Sequence, residues 1–217
     1  MYQAIVFDLG NVLLEISFKR VCRYWADITG RDPQELYASF PRDEIFTGFE
    51  KGEISPEIFR RHVMTKMGCS MNTMEFDNGW NAIFVGPVPG IESVLVQLKK
   101  RYRLVGLSNT NPIHAAWWQA PYGALVARLE RLFVSHEIGT RKPEPRAYEI
   151  VLDYLGLRPE EVIFIDDTEE NVIASEQLGI KGLVMQTTPK LVRDLRELGI
   201  PITLPPDGEI FSKRSSA

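Results

Sequence analysis

Residues 4–11 read Ala4-Ile5-Val6-Phe7-Asp8-Leu9-Gly10-Asn11. Four consecutive apolar side chains predict a strand buried on both faces, as strands are in a parallel sheet. The run stops at an acid followed by turn-forming residues. Two later stretches repeat this form. Leu104-Val105-Gly106-Leu107 ends in Ser108-Asn109-Thr110, and Val162-Ile163-Phe164-Ile165 ends in Asp166-Asp167. Shorter strands are expected at Leu132-Phe133-Val134 and at Gly182-Leu183-Val184-Met185.

Helices are expected between these strands. They cover Ile91 to about residue 101, a region around Trp117 and Trp118, Pro145 to Leu155, Asn171 to Leu178 and Leu191 to Leu198. Gly156, Gly179 and Gly199 follow three of them as stop signals. Strands alternating with helices predict an α/β fold, a doubly wound parallel sheet under right-handed crossovers. In such a sheet ligands bind beyond the carboxyl ends of the strands.

The segment from Ser17 to Ile83 reads differently, as helices only. Ser17 opens a helix that runs to Gly30. Asp32-Pro33-Gln34-Glu35 joins an N-cap, a first-turn proline and a capping-box acid. Ser55-Pro56-Glu57 starts another helix, closed near Gly68, and a further one covers Thr73 to Ile83. The run Gly86-Pro87-Val88-Pro89-Gly90 then breaks the chain. The expected organisation is therefore a core of residues 1–16 and 84–206, a helical insertion at 17–83 and a mobile tail at 207–217.

Composition bounds the function. The chain has 217 residues, 44% hydrophobic and 25% charged, which suits a globular protein able to bury a core without staples. Net charge is −4 and no long basic run occurs, which argues against a nucleic-acid partner. No apolar stretch approaches the ~20 residues of a membrane span. Asp8 interrupts the first apolar run, which is unlike a signal peptide. Cys22 and Cys69 have neither CxxC nor zinc spacing, and read as reduced thiols of a cytoplasmic protein. A monomer or weak homodimer is expected.

If the three strands are parallel, Asp8, Ser108, Asn109, Asp166 and Asp167 meet at one sheet edge. Thr140-Arg141-Lys142-Pro143-Glu144 adds a lysine from a loop. Clustered carboxylates repel one another unless a hard dication sits among them. Mg²⁺ takes oxygen ligands and keeps room for a phosphate. Ser108 and Lys142 then serve phosphoryl oxygens, and Asp8 can act as nucleophile. Taken singly, each residue has a plainer reading: Asp8 and Asp166-Asp167-Thr168 as helix caps, Ser108-Asn109 as a turn, Lys142 as a surface lysine. Their ordered occurrence at strand ends favours a shared site.

These four segments resemble, in order, the four motifs of the haloacid dehalogenase superfamily: Phe7-Asp8-Leu9-Gly10-Asn11-Val12, Leu107-Ser108-Asn109, Arg141-Lys142-Pro143-Glu144 and Phe164-Ile165-Asp166-Asp167. The helical block resembles that family's cap. The first two segments are similar to those of bacterial glucose-1-phosphate phosphatases in the superfamily. The resemblance implies Asp8 as nucleophile and metal ligand, with the Gly10 carbonyl, Asp167 and Asp166 completing a Mg²⁺ site. It implies Ser108 and the Asn109 backbone as phosphate holders and Lys142 as the neutralising cation. The substrate implied is a small phosphorylated metabolite, with sugar 1-phosphates favoured.

One position departs from the pattern. The family ordinarily carries a second Asp two residues after the nucleophile, as general acid and base, and Gly10 stands there instead. A general acid contributes ~10²–10⁴-fold in rate. Three readings stay open: a leaving group that needs less help, a proton from water or from a neighbour such as Asn11 or Glu15, or a weakly catalytic binding module. A metal-independent dehalogenase is a further alternative, though it leaves Asp166 and Asp167 without a purpose. His62, His114 and His136 show no ligand spacing and read as structural, as do Trp117, Trp118 and Tyr122. Phe46, Phe49 and Glu50 lie in the helical block, where both Phe residues are expected to pack. Arg128 and Arg131 read as a solvated helix face.

Overall fold

A computed structural model describes residues 1–205; the tail expected to be mobile at 207–217 lies outside the described residues. Strand β1 (Ala4–Phe7) leads through a tight turn into β2 (Leu14–Ile16). Five helices follow: α1 (Phe18–Thr29), α2 (Pro33–Ser39), α3 (Glu44–Glu50), α4 (Pro56–Met67) and α5 (Thr73–Asn81). Then come β3 (Phe84–Pro87), α6 (Ile91–Leu98), β4 (Arg103–Ser108), α7 (Pro112–Val126), β5 (Arg131–Val134) and the short α8 (Ser135–Ile138). The chain closes with α9 (Pro145–Leu155), β6 (Val162–Asp166), α10 (Glu169–Gln177), β7 (Lys181–Val184) and α11 (Thr188–Glu197).

The main sheet is parallel, in the order β5-β4-β1-β6-β7. Strand β1 is central, and the chain crosses to one side of it and then to the other. This is the doubly wound α/β sheet expected from the strand and helix alternation. Side chains alternate between the two faces, and both faces are buried. Ile5, Phe7, Leu104, Ile163 and Ile165 join one apolar cluster with residues of α6 and α11. Ala4, Val6, Val105, Leu107, Val162 and Phe164 join another with residues of α9. That is why these strands carry no polar alternation.

Helices α1 to α5 enclose an apolar cluster of their own, rich in aromatic rings. Trp25 and Trp80 stack at 6.0 Å, and Phe49 and Phe59 at 4.0 Å. A Cβ on Gly79 would lie 2.1 Å from the Trp25 indole nitrogen, so α5 can approach α1 only without a side chain there. Two of the expected side-chain caps form, while Ser17 precedes α1 without a side-chain cap. Asp32 accepts from the N–H groups of Gln34 and Glu35, and Ser55 from that of Ile58. Glu35 does not close a capping box; its carboxylate turns to Arg31 at 3.4 Å.

Three local readings change. Phe84–Pro87 is a strand, not merely a break, and pairs antiparallel with Leu14–Ile16. Its Pro87 lies at the end of the pairing, where a missing N–H is tolerated. The segment 44–50, which carries no strong boundary signal, is a helix capped by Asp43. Arg131 belongs to β5 rather than a helix face and lies over the Phe133 and Tyr154 rings at 4.6 and 5.1 Å. Among the described residues no helix is long and apolar enough to cross a membrane.

His114 fastens α7 to α5. Its Nε2 donates to the Trp80 carbonyl at 3.2 Å, and its Nδ1 accepts from the Asn111 side chain at 3.0 Å. The imidazole also stacks on Trp80 at 4.7 Å. Burial pushes its pKa down to about 3, with the bond to Trp80 opposing. The unfolded chain binds a proton at this residue near pH 6.5 and the folded chain does not. Stability from a neutral His114 is therefore complete above that pH and is lost as the pH falls towards 3. The steepest contribution is about 1.4 kcal/mol per pH unit. Denaturant unfolding between pH 6 and 4 should show wild-type losing stability faster than His114→Gln by that slope. Parallel pH curves for the two proteins would contradict the assignment.

Candidate active site

Three strands of the main sheet end at one place. Asp8 follows β1, with its N–H donating to the Ile165 carbonyl at 2.8 Å. Ser108 is the last residue of β4 and Asp166 the last of β6, and both are buried. These are the carboxyl ends of the strands beside the topological switch, where such sheets bind ligands.

Lys142 joins them. Its side chain is 1% exposed, and its Nζ donates to Asp8 Oδ1 at 2.7 Å and to Asp166 Oδ2 at 2.5 Å. The loop that delivers it is held by Asn109. The Asn109 Nδ2 donates to the Lys142 carbonyl, and the Lys142 N–H donates to Asn109 Oδ1, both at 2.8 Å. The Lys142–Pro143 peptide is cis. Asp166 also accepts from the Thr168 N–H at 2.9 Å and from Asn171 Nδ2 at 3.1 Å. Asp167, half-buried, accepts from Asn11 Nδ2 at 2.9 Å. Asn11 sits at φ 53, a region Asn enters more readily than most residues.

Carboxylate oxygens of Asp8, Asp166 and Asp167 lie within 4.8 Å of one another. Burial pushes Asp8 up to about 7, with Lys142 pulling it down and Asp166 pushing it further up. Burial opposes the Lys142 ammonium, yet Asp8 and Asp166 hold its pKa above the ordinary range. One ammonium thus bonds two carboxylates, with a third close to both. The donor set is all oxygen and carries excess negative charge, which fits a hard divalent cation. The Gly10 carbonyl belongs to the turn beside Asp8, where Gly10 bridges to Leu14.

Space beside Gly10 is limited. A Cβ built there would meet Ile16 Cδ1 at 3.0 Å and Asp8 Oδ2 at 3.8 Å. Ile16 on β2 therefore crowds the direction that a longer side chain would take. Of the two neighbours considered as proton sources, Asn11 already spends its amide on Asp167.

Several contributors were not legible as such. The Asn109 side chain is a clamp on the lysine loop, a role its backbone reading did not include. Asn171 looked like a helix starter, but its position five residues beyond Asp166 was the available signal. Glu50 at the end of α3 reaches across to Arg141, beside Lys142, at 3.0 Å. Burial pushes Glu50 up to about 7, while Arg141 and Lys142 pull the other way. Phe49, its neighbour, is fully buried among the aromatic rings of the helices.

Comparison with known proteins places this geometry in a family. A haloacid dehalogenase-like hydrolase family model matches residues 2–179. D-ribitol-5-phosphate phosphatase from Bacteroides thetaiotaomicron is 24% identical over 186 residues, 83% of this chain and 90% of that protein. Phosphatase MT3486 from Mycobacterium tuberculosis is 29% identical over 211 residues, 90% of this chain and 94% of its own. The crystal structure of the family enzyme bt-2542 from B. thetaiotaomicron, complexed with magnesium and inorganic phosphate, superposes with TM-score 0.76 at 30% identity. That match covers 86% of this chain and 96% of the other. The chain belongs to the haloacid dehalogenase-like hydrolases.

Proposed function

We propose that the protein is a Mg²⁺-dependent phosphatase of a small phosphorylated metabolite, with sugar 1-phosphates favoured. The observation that carries this reading is the Lys142 ammonium bonded to both Asp8 and Asp166, with Asp167 alongside. Relatives named as phosphatases, and a structural relative complexed with magnesium and phosphate, support it.

In this reading Asp8 is the nucleophile. Its carboxylate attacks phosphorus in line with the leaving oxygen and forms an aspartyl-phosphate, which water then hydrolyses. A bound Mg²⁺, held by Asp8, Asp166, Asp167 and the Gly10 carbonyl, would offset the charge between nucleophile and phosphate. Lys142 stabilises charge on the phosphoryl oxygens. Ser108 and the Asn109 N–H bind the phosphate. Asn109 keeps Lys142 in place through its side chain, and Asn171 and Thr168 orient Asp166. Residues 17–83 serve as a cap that excludes water from the first step.

The preference for sugar 1-phosphates rests on Gly10. Without an acid there, the leaving oxygen departs with little protonation. An anomeric oxygen tolerates that better than a primary alcohol does. Ile16 beside Gly10 supports the same reading, because it keeps that side of the nucleophile apolar.

Asp8→Asn should abolish phosphate release while thermal melting shows an intact fold; turnover near the wild-type rate would remove Asp8 from its role. In a screen of phosphosugars with Mg²⁺, 1-phosphates should exceed 6-phosphates in kcat/KM by about tenfold or more, within the range a general acid is worth. A preference for 6-phosphates would overturn the leaving-group argument while leaving phosphatase activity standing. Mg²⁺ at a hundredfold over its Kd should add about 2.7 kcal/mol to stability. A melting temperature unmoved across a Mg²⁺ titration would count against the cation site.

A further inference from the structure

An open cavity of about 530 Å³ lies between α1 and α2, within the size range of small-molecule sites. Lys19, Cys22 and Arg23 of α1 line it, together with Asp32 and Tyr37 from α2 and its cap. Asp8, Ser108, Lys142, Asp166 and Asp167 do not border it. Cys22 is 1% exposed. Burial pushes its thiol up to about 11, with the Arg42 charge opposing, so this part of the lining is neutral.

Two features of α1 favour an anion in the cavity. Lys19 and Arg23 stand four residues apart, so they are neighbours on one helix face and repel each other. Neither pairs with a carboxylate among the described residues, and nor does Arg42, which lies 5.6 Å from the Tyr37 ring. The second feature is the start of the helix. Its first turn carries Lys19 and Arg20 but no acid, and Ser17 supplies no side-chain cap. Positive charge at this end opposes the helix dipole, which favours an anion there. Arg20 is occupied by the Ala82 carbonyl at 3.0 Å, whereas Lys19 borders the cavity. Asp32 does not relieve the two cations. It makes no ion pair with either, and its Oδ1 accepts the N–H groups of Gln34 and Glu35 at 2.7 and 3.1 Å.

The rest of the lining suits what such an anion is attached to. Tyr37 is 43% exposed and offers ring surface, while Phe18 braces it at 5.4 Å. Asp32 keeps its second oxygen for a hydroxyl donor. We propose that this cavity binds a nucleoside monophosphate, with Lys19 and Arg23 on the phosphate, the Tyr37 ring against the base and Asp32 Oδ2 accepting from a ribose hydroxyl. The site is separate from the phosphatase centre and does not depend on that reading.

Titration calorimetry on the full chain carrying Asp8→Asn, with Mg²⁺ present, compares AMP, ribose 5-phosphate and inorganic phosphate. AMP should bind about tenfold or more tightly than ribose 5-phosphate, through the base. Lys19→Gln combined with Arg23→Gln should weaken AMP by about tenfold or more. Tyr37→Leu should bring AMP down to the affinity of ribose 5-phosphate. Ser108→Ala, at the catalytic site, should leave AMP binding unchanged. Absence of AMP binding up to about millimolar concentration would overturn the proposal. So would AMP binding that is lost in Ser108→Ala and kept in Lys19→Gln/Arg23→Gln, since the nucleotide would then sit at the catalytic site. Equal affinities for AMP and inorganic phosphate would reduce the cavity to unselective anion attraction and overturn it as well. Should Tyr37→Leu fail to fold, the exposed Lys19 and Arg23 still decide the matter.

Discussion

A buried ammonium between two buried carboxylates is the constraint around which the core is arranged. Asp8 and Asp166 end adjacent parallel strands, so the sheet alone forces their side chains together at its edge. Two carboxylates removed from water repel one another and cannot both remain charged without compensation. Lys142 supplies half of it, and the all-oxygen cluster fits a divalent cation that would supply the rest. Such an arrangement contributes little to net stability, because desolvation offsets most of the attraction. Its value lies in position: Asp8, Lys142 and the end of β4 are oriented in advance, as the proposed reaction would require.

The surrounding amides make that position rigid. Asn109 bonds both backbone groups of Lys142, so the end of β4 and the lysine loop move together. Asn171 and the Thr168 N–H hold Asp166, and Asn11 holds Asp167. Each is neutral, so each fixes a backbone or a carboxylate without adding to the charge problem. Glu50 and Arg141 stand apart from this shell. They are charged and pair with each other at 3.0 Å at the boundary between the helices and the sheet, Glu50 buried and Arg141 part-exposed.

Legibility followed the range of the interactions. The buried strands could be read because both of their faces are covered, which makes Ala4–Phe7 and Val162–Ile165 continuous apolar runs. Helix starts at Asp32, Ser55 and Pro145 could be read because caps act within three or four residues. The pairing of Leu14–Ile16 with Phe84–Pro87 could not, since its partners are separated by the whole helical segment. The same holds for Glu50 with Arg141, and for His114 with Trp80. The Asn109 side chain was hidden for another reason: an Asn in a turn has many local uses, and only the nearby loop selects one.

By itself the sequence determined the element types, the parallel sheet, and the choice of Asp8, Ser108, Lys142, Asp166 and Asp167 as a group, because strand ends in a doubly wound sheet share one edge. Tertiary structure alone decided how these side chains are bonded, that Ile16 closes the space beside Gly10, and that a carboxylate from α3 hangs over the lysine loop. Local preferences act over a few residues, whereas distances between side chains depend on how distant segments pack.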